Sequence, residues 1–417
     1  MNETFPPPGF IKTESAVSGI VVYKPKPEEE AHQDVVDFRC PNCDGVTAYS
    51  TDNGGLTCTY CGYHEAPQNE IVGRQAAEFE FTVETMQRAV HGWGEERKEL
   101  VCQSCAAHTT LPVSLLTHTC PFCGSNKVVQ AKAPQDVLRP RFLVPFVVTT
   151  ETCRSVMTEW LGSSWMLPKE LNRLGRGTEF TPIYIPFWTF DSRARAGWRA
   201  EVAKKVQRGG KTKTVWRWES GSVSRLFDDL LVSGTTKLSR LLLQQVRQYD
   251  LGNLVPYEPS YLAGIQAQAY DVTLDDAWTQ ARARMREQTR KACRDKASSQ
   301  RMRNFSMNLD FSDESWRYIL LPLYLATFRY GEESYQVLIN GQTGKIAGQR
   351  PVDWRKVGWA IMGMLTPALL LGLAALIMLA LGTAVPEGVT IFAIVFFVFG
   401  AVFGLLTFQR AQQMDDI

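Results

Sequence analysis

What this chain of 417 residues lacks narrows its chemistry first. It holds five histidines, none of them in an HExxH pair. There is no nucleophile elbow and no dinucleotide-binding glycine fingerprint, so no catalytic centre is expected. Asn340-Gly341-Gln342-Thr343-Gly344-Lys345 comes nearest to a phosphate-binding loop. Its glycine spacing is too short, however, and Ile346 stands where a Ser or Thr would meet magnesium; a turn after a strand is the better account. The opening MNETFPPPGF has no basic stretch followed by an apolar core, so no secretory signal is expected. Basic charge is scarce around the paired cysteines. Residues 38–65 hold Arg39 against Asp44, Asp52 and Glu65, and residues 100–127 offer Lys127 alone. Affinity for nucleic-acid phosphates needs a basic surface, which disfavours that partner.

Charge is unevenly divided along the chain. Residues 1–138 carry ten Lys and Arg against eighteen Asp and Glu, while residues 139–417 carry thirty-five against twenty-five. An acidic front and a basic rear imply different partners for the two halves. Residues 1–37, with Pro6-Pro7-Pro8 and Glu28-Glu29-Glu30, read as a disordered or loosely tethered tail.

Eight of the ten cysteines form four CxxC pairs that fall into two sets. Cys40 and Cys43 are followed after fourteen residues by Cys58 and Cys61; Cys102 and Cys105 are followed after the same fourteen by Cys120 and Cys123. Two thiolates two residues apart fit one tight turn, and two such turns supply the tetrahedral four-sulfur shell that structural zinc prefers. Two zinc ribbons are therefore expected, over 38–66 and 100–128, with a linker at 67–99. In the first, Val46–Thr51 and Leu56–Tyr60 read as strands joined across Asp52-Asn53-Gly54-Gly55. In the second, Thr109–Leu116 is expected to supply the outgoing and returning segments. Gly62 and Gly124 follow the last cysteines, where a positive φ is often needed; Asp44 and Ala106 hold the matching places after the first pairs. Each ribbon is too small to fold on its apolar core alone, so bound metal is expected to supply about 10–16 kcal/mol. Four-sulfur shells leave no open position for substrate, which argues against catalytic zinc. The competing readings are a thioredoxin-like redox pair, disulfides, or iron in a rubredoxin-like site. His32, His64, His91, His108 and His118 are alternative ligands read as surface residues, and Cys153 and Cys293 read as ordinary helix residues.

Val357–Ala384 and Val389–Phe408 carry no charged residue. A run of the second one's length spans roughly 30 Å as a helix, the thickness of a bilayer core. A transmembrane helical hairpin is expected over 357–408, with Pro367 inside its first helix, where membrane helices tolerate it. Arg350, Arg355 and Lys356 precede it and Arg410 follows, while the turn offers Glu387, so both termini are placed in the cytoplasm. Gly400 and Gly404 match GxxxG, which serves the companion span, a second copy, or neither. Spans without ionisable residues exclude a proton relay or ion path; they read as an anchor. A cytoplasmic location also suits reduced, metal-binding cysteines.

Residues 139–348 read as an α+β domain. Helices are expected at Thr149–Leu161 and Thr273–Arg303, the second opened by a capping-box-like Thr273-Leu274-Asp275-Asp276. Strands are expected at Ile183–Phe190, Arg193–Lys205, Thr212–Leu226, Ser306–Phe311, Tyr318–Tyr330 and Ser334–Asn340. A possible internal duplication pairs Phe146–Thr149 with Tyr270–Thr273, and Pro182-Ile183-Tyr184 with Pro322-Leu323-Tyr324. The helix bearing Arg282, Arg284, Arg286, Arg290, Lys291, Arg294, Lys296, Arg301 and Arg303 is strongly basic. It reads either as a solvated face or as a contact for anionic lipid headgroups.

With ribbons, middle domain and hairpin in this order, the chain resembles the bacterial TFIIB-type zinc-ribbon membrane proteins, also labelled "replication restart helicase-like". The matching residues are the paired CxxC sets, His91-Gly92-Trp93-Gly94, Val144-Pro145-Phe146, Tyr184-Ile185-Pro186-Phe187-Trp188 and Asn340–Lys345, followed by the terminal spans. The helicase label finds no support, because the chain has no Walker A loop. The family is associated with phage-shock-type and SPFH-type envelope stress systems. The resemblance thus implies a non-enzymatic scaffold at the bacterial cytoplasmic membrane. Its partners would be membrane or membrane-stress proteins and the lipid bilayer, with a homo-oligomer as a further option. The alternative is a membrane-tethered zinc-ribbon protein that binds nucleic acid.

Overall fold

The computed structural model describes residues 10–13, 22–25, 38–66, 70–73, 76, 79–80, 97–112, 120–122, 125, 127–132, 138–171, 173, 177–208, 211–331 and 333–415. Cys123, Gly124 and the His91–Gly94 motif lie outside them. Five α-helices are described: α1 (Thr150–Gly162), α2 (Arg240–Val246), α3 (Leu274–Lys296), α4 (Trp354–Ala380) and α5 (Glu387–Asp415). With the sheets, they make a mixed α+β protein.

Three long antiparallel strands form the backbone of the fold: Thr181–Arg208, Lys211–Ser233 and Met302–Tyr330. The first lies between the other two. The sequence divides it at Asp191-Ser192, and divides the third between Phe311 and Tyr318. The structure instead carries both straight through. The register shifts between Phe190 and Ser192 against one neighbour and between Asp191 and Arg193 against the other. Such a bulge absorbs an extra residue and lets a strand continue. Glu333–Asn340 folds back on the third strand, and Ile346–Gly348 adds beside it.

Burial along the first long strand changes character at the bulge. From Ile183 to Phe190 nearly every side chain is buried, because both sheet faces are covered. Tyr184, Trp188 and Phe190 join α1 and α3 residues on one side, while Ile183, Ile185 and Phe187 meet Leu242, Leu243 and Val246 of α2 on the other. Beyond it the pattern alternates strictly: Ala194, Ala196, Trp198 and Ala200 are buried, whereas Arg193, Arg195 and Arg199 are exposed. This period of two marks a sheet covered on one face. The covering element there is α3.

Both central helices begin as their sequences dictate. Thr149 caps α1 by accepting from Thr152 N at 3.2 Å, and Thr273 caps α3 by accepting from Asp276 N at 3.3 Å. On α1, Cys153, Met157 and Leu161 recur at helical spacing and are buried. α3 stops at Lys296 rather than reaching Arg303. Glu219 takes the Ser298 N–H and hydroxyl at 3.2 and 2.6 Å, and Met302 opens the third long strand. Part of the basic row on α3 fastens it to that strand. Arg282 lies over Phe311 at 5.2 Å, and Arg294 over Phe305 at 5.5 Å.

The two Pro-x-Tyr motifs face each other across the sheet, Pro182 opposite Tyr324 and Tyr184 opposite Pro322. Phe146 meets the edges of both tyrosine rings, at 5.1 and 5.0 Å. The Asn340–Lys345 stretch is a turn, closed by Gly344 N donating to Asn340 O at 2.9 Å. Buried Asn340 does more than turn the chain. Its Oδ1 accepts from Gln342 and Thr343 N–H at 2.8 and 2.9 Å, and its Nδ2 donates to Val246 O and Gln248 O at 2.7 and 3.2 Å. Asn340→Ala leaves several buried groups unmatched and is expected to lower stability by about 3 kcal/mol in urea unfolding. A change under ~1 kcal/mol would contradict this role.

Two stretches depart from the expected domain outline. Within the stretch read as a loose tail, Phe10–Thr13 and Val22–Pro25 pair antiparallel, their aromatic and β-branched residues favouring strand. Within the stretch read as a linker, Phe79–Glu80 pairs with the third long strand, and Arg97–Cys102 is already a strand of the second cysteine region.

α4 and α5 are each long and apolar enough to cross a membrane. Leu369, Leu373, Leu376, Phe392, Ile394 and Phe397 all lie exposed. Gly400 lets the helices touch: a Cβ there would come within 2.7 Å of Met364 O. The GxxxG stripe therefore serves the companion helix. The base of the pair is anchored on the end of α1 and the loop after it: Arg350 lies over the Trp160 ring at 4.6 Å, and Lys356 Nζ donates to Leu167 O at 2.7 Å.

Candidate metal centres

The first cysteine of each pair closes a turn in the same way. The N–H of Cys40, Cys58, Cys102 and Cys120 donates to the carbonyl five residues on, that of Gly45, Tyr63, Ala107 and Ser125, at 2.7, 2.8, 2.9 and 2.8 Å. A loop closed this way carries a left-handed residue after its second cysteine. Gly62 has φ of 75°, and Asp44 and Ala106 take φ of 57° and 53° without being glycine. The closing bond compensates for conformations that cost a residue with a Cβ roughly 1–2 kcal/mol. Ala106→Gly is expected to stabilise the second site by up to about 1 kcal/mol, read as slower zinc loss to a chelator. Faster loss would contradict it.

The turns bring sulfur to sulfur. Cys40, Cys43, Cys58 and Cys61 hold their Sγ atoms within 4.8 Å of one another, and so do Cys102, Cys105 and Cys120. Individual separations are 3.4 Å for Cys40–Cys61, 3.5 Å for Cys43–Cys58 and 3.7 Å for Cys105–Cys120. A disulfide would need about 2.05 Å. Four sulfurs about 2.3 Å from one zinc stand about 3.8 Å apart along each edge of a tetrahedron, close to these values. The donor set fits the ion. The first cysteine of each turn is buried and the second, where described, is exposed. Turn amides point at the sulfurs: Ser104 N lies 3.4 Å from Cys102 Sγ, and the N–H groups of Cys61 and then Tyr60 bring the Cys58 thiol down to about 7. The crowded thiols oppose one another: against a lowering bond from the Gly45 N–H, Cys58 and Cys61 push Cys43 up to about 12. Cys58 is thus the thiol of this cluster readied as a thiolate.

No histidine joins either cluster among the described residues. His64 Nδ1 lies 3.2 Å from Thr57 Oγ1, and His108 Nδ1 lies 2.8 Å from Glu99. His32, His91 and His118 lie outside the described residues. Cys153 and Cys293 are buried core residues; burial pushes the Cys153 thiol up to about 12 and raises that of Cys293.

The ribbons are built into the body. In the first, Thr47–Ser50 and Gly55–Cys58 pair across the expected turn. Tyr49 N donates to Ala263 O at 2.7 Å, its ring lies 5.5 Å from that of Tyr261, and Asp52 accepts from Thr150 N at 2.9 Å. In the second, His108–Pro112 pairs with Arg97–Cys102, which also carries Val128–Lys132. The expected hairpin within Thr109–Leu116 gives way to this arrangement because the strand before the first cysteine supplies the partner; residues 113–119 lie outside the described set. Gln266–Ala267 then bridges Thr110 to Ile183 of the first long strand, making one continuous sheet. Buried Arg97 locks the junction by donating to Ile265 O at 3.0 Å.

A third group escaped the sequence reading. Asp191, Asp228 and Asp229 converge at the bulge. Buried Arg317 reaches into it, pairing with Asp229 and lying 3.7 Å from Asp191, with Thr189 Oγ1 at 3.2 Å. A fixed guanidinium thus supplies the positive charge that a metal would bring. Three strands assemble this group, and the one trace in the sequence is acidic residues inside otherwise apolar strands.

Fold and sites together define a class: a mixed α+β protein with cysteine clusters compatible with zinc ribbons and two apolar C-terminal helices. Over 328 residues the chain is 23% identical to the uncharacterized protein YdjG of Bacillus subtilis (strain 168), covering 78% of this chain and 92% of that one. No family model matches the chain. No solved structure matches it.

Proposed function

We propose that the protein is a non-enzymatic, membrane-anchored zinc-ribbon scaffold that recruits or organises protein partners at the bacterial cytoplasmic membrane. One observation carries this reading: a cluster of four cysteines, a cluster of three and an apolar helix pair, drawn from opposite ends of the sequence, are fastened to one body. Sealed metal sites position surface and bind no substrate. The helix pair supplies attachment, and Arg350, Arg355, Lys356 and Arg410 orient both termini toward the cytoplasm. Cys123 completes the second sulfur shell, and zinc fills both. The facing Pro-x-Tyr motifs and the similarly capped α1 and α3 support descent of the central domain from a duplicated unit. The resemblance to TFIIB-type zinc-ribbon membrane proteins extends the proposal to envelope stress.

Crosslinked pull-down from native membranes tests it, comparing the wild type with a variant carrying Cys58→Ser and Cys120→Ser. Partners should be captured with the wild type and lost with the variant while the protein stays in the membrane. Unchanged capture and unchanged partner localisation would overturn the scaffold.

A further inference from the structure

The junction of α2, α3 and the second long strand holds an unassigned arginine cluster. Arg240 opens α2 and Arg247 follows its last residue, two turns later and about 10 Å along the axis. Arg284 on α3 lines the same hollow, together with Ser233, Thr235, Gln244 and Gln280. Its floor is apolar, made by Phe187, Leu243 and Val272. The hollow itself is small, about 40 Å³, and adjoins a larger one of about 800 Å³ that shares Leu231, Gln244, Arg247 and Arg284 with it but is not lined by Arg240.

The charge in this place is not balanced by the fold. Among the described residues, none of these three arginines forms an ion pair. Arg284 donates to Leu231 O at 3.0 Å, which orients the guanidinium and leaves its other N–H groups available. Burial, then the like charges of Arg247 and Arg240, hold its pKa below the ordinary value. The larger hollow contains three carboxylates: Asp229 is committed to Arg317, Glu287 lies 3.9 Å from Arg290, and Asp228 groups with Asp191 and Asp229 at the bulge rather than pairing with any of the three arginines. Half-burying a guanidinium beside two others is unfavourable unless an anion joins them.

We propose that Arg240, Arg247 and Arg284 form a binding site for a phosphate-ester group. Guanidinium forks match phosphate oxygens in pairs, and a phosphate monoester carries enough charge and acceptors to engage more than one fork. The larger hollow adjoining at Arg247 and Arg284 offers room for the carbon portion of the ester. A phospholipid headgroup and a soluble phosphorylated metabolite present the same chemistry. The site is independent of the scaffold reading, since it involves neither the ribbons nor any partner protein.

Titration calorimetry on the full chain in detergent tests the site, with inorganic pyrophosphate and a short-chain phosphatidic acid as separate probes. At least one probe should bind saturably. Arg284→Gln and Arg240→Gln should each weaken that binding by about tenfold or more, as expected for loss of a charge-assisted contact. Arg286→Gln, on the exposed face of α3, should leave it unchanged. Tighter binding of pyrophosphate points to a soluble ligand and tighter binding of phosphatidic acid to a headgroup; either supports the site. If Arg284→Gln compromises folding, exposed Arg240 carries the test. Three results overturn the proposal: no saturation by either probe at about 5 mM, wild-type affinity in Arg240→Gln, or an equal loss in Arg286→Gln.

Discussion

Cys40→Ser is expected to remove one of two zinc equivalents and to unfold the first ribbon within an otherwise folded chain. Cys40 is the buried member of its pair, and its N–H closes the turn by donating to Gly45. Serine keeps the turn but supplies a poor ligand. The strands Thr47–Ser50 and Gly55–Cys58 are four residues each. So little structure depends on the metal, which contributes on the order of 10–16 kcal/mol in comparable peptides. Tyr49 and its bond to Ala263 then work against a larger entropy of the freed chain. Limited proteolysis should open residues 38–66 while the three long strands stay protected, and metal analysis should read about half the wild-type zinc. Acidification acts in the same direction, because protons compete with the ion for sulfur. An unchanged zinc content and cleavage pattern would contradict this account.

The second large effect is expected at Arg317. Arg317→Met is near in volume and leaves Asp191 and Asp229 together in a largely buried site without their guanidinium. Removing one partner of a buried pair costs about 3–5 kcal/mol, more than the pair itself contributes, because the remaining charge stays desolvated. Urea unfolding of the detergent-solubilised chain should show that loss. Adding Asp191→Asn and Asp229→Asn to the same chain should recover most of it, since the uncompensated charges are then gone. A single variant as stable as the wild type, or a triple variant less stable than the single, would rule out this role.

The parts legible in the sequence are those whose physics is local. CxxC turns need three or four neighbouring residues each, and their spacing alone gathers Cys40, Cys43, Cys58 and Cys61 into one sulfur cluster. Uncharged runs declare the two terminal helices, and Thr149 and Thr273 declare the helix starts. Non-local pairing is what the sequence conceals. Strands of 28 and 29 residues read as divided because polar residues interrupt them, yet a bulge and the buried Arg317 beside Asp191 and Asp229 let them run on across the sheet. The docking of the first ribbon through Tyr49 and Ala263, and of the second through Gln266–Ala267, joins segments more than a hundred residues apart. Nothing in either segment alone announces the other. The basic row on α3 showed its charge but not its division, some of it stacked on Phe305 and Phe311 and Arg284 turned toward Arg240 and Arg247.

X-ray absorption at the zinc edge, on protein extracted from membranes in detergent, addresses the central claim most directly. Two sealed sites require about four sulfur neighbours per zinc at about 2.3 Å, and no oxygen or nitrogen in the first shell. A shell containing light atoms, or cysteines joined in pairs with no bound metal, would contradict it.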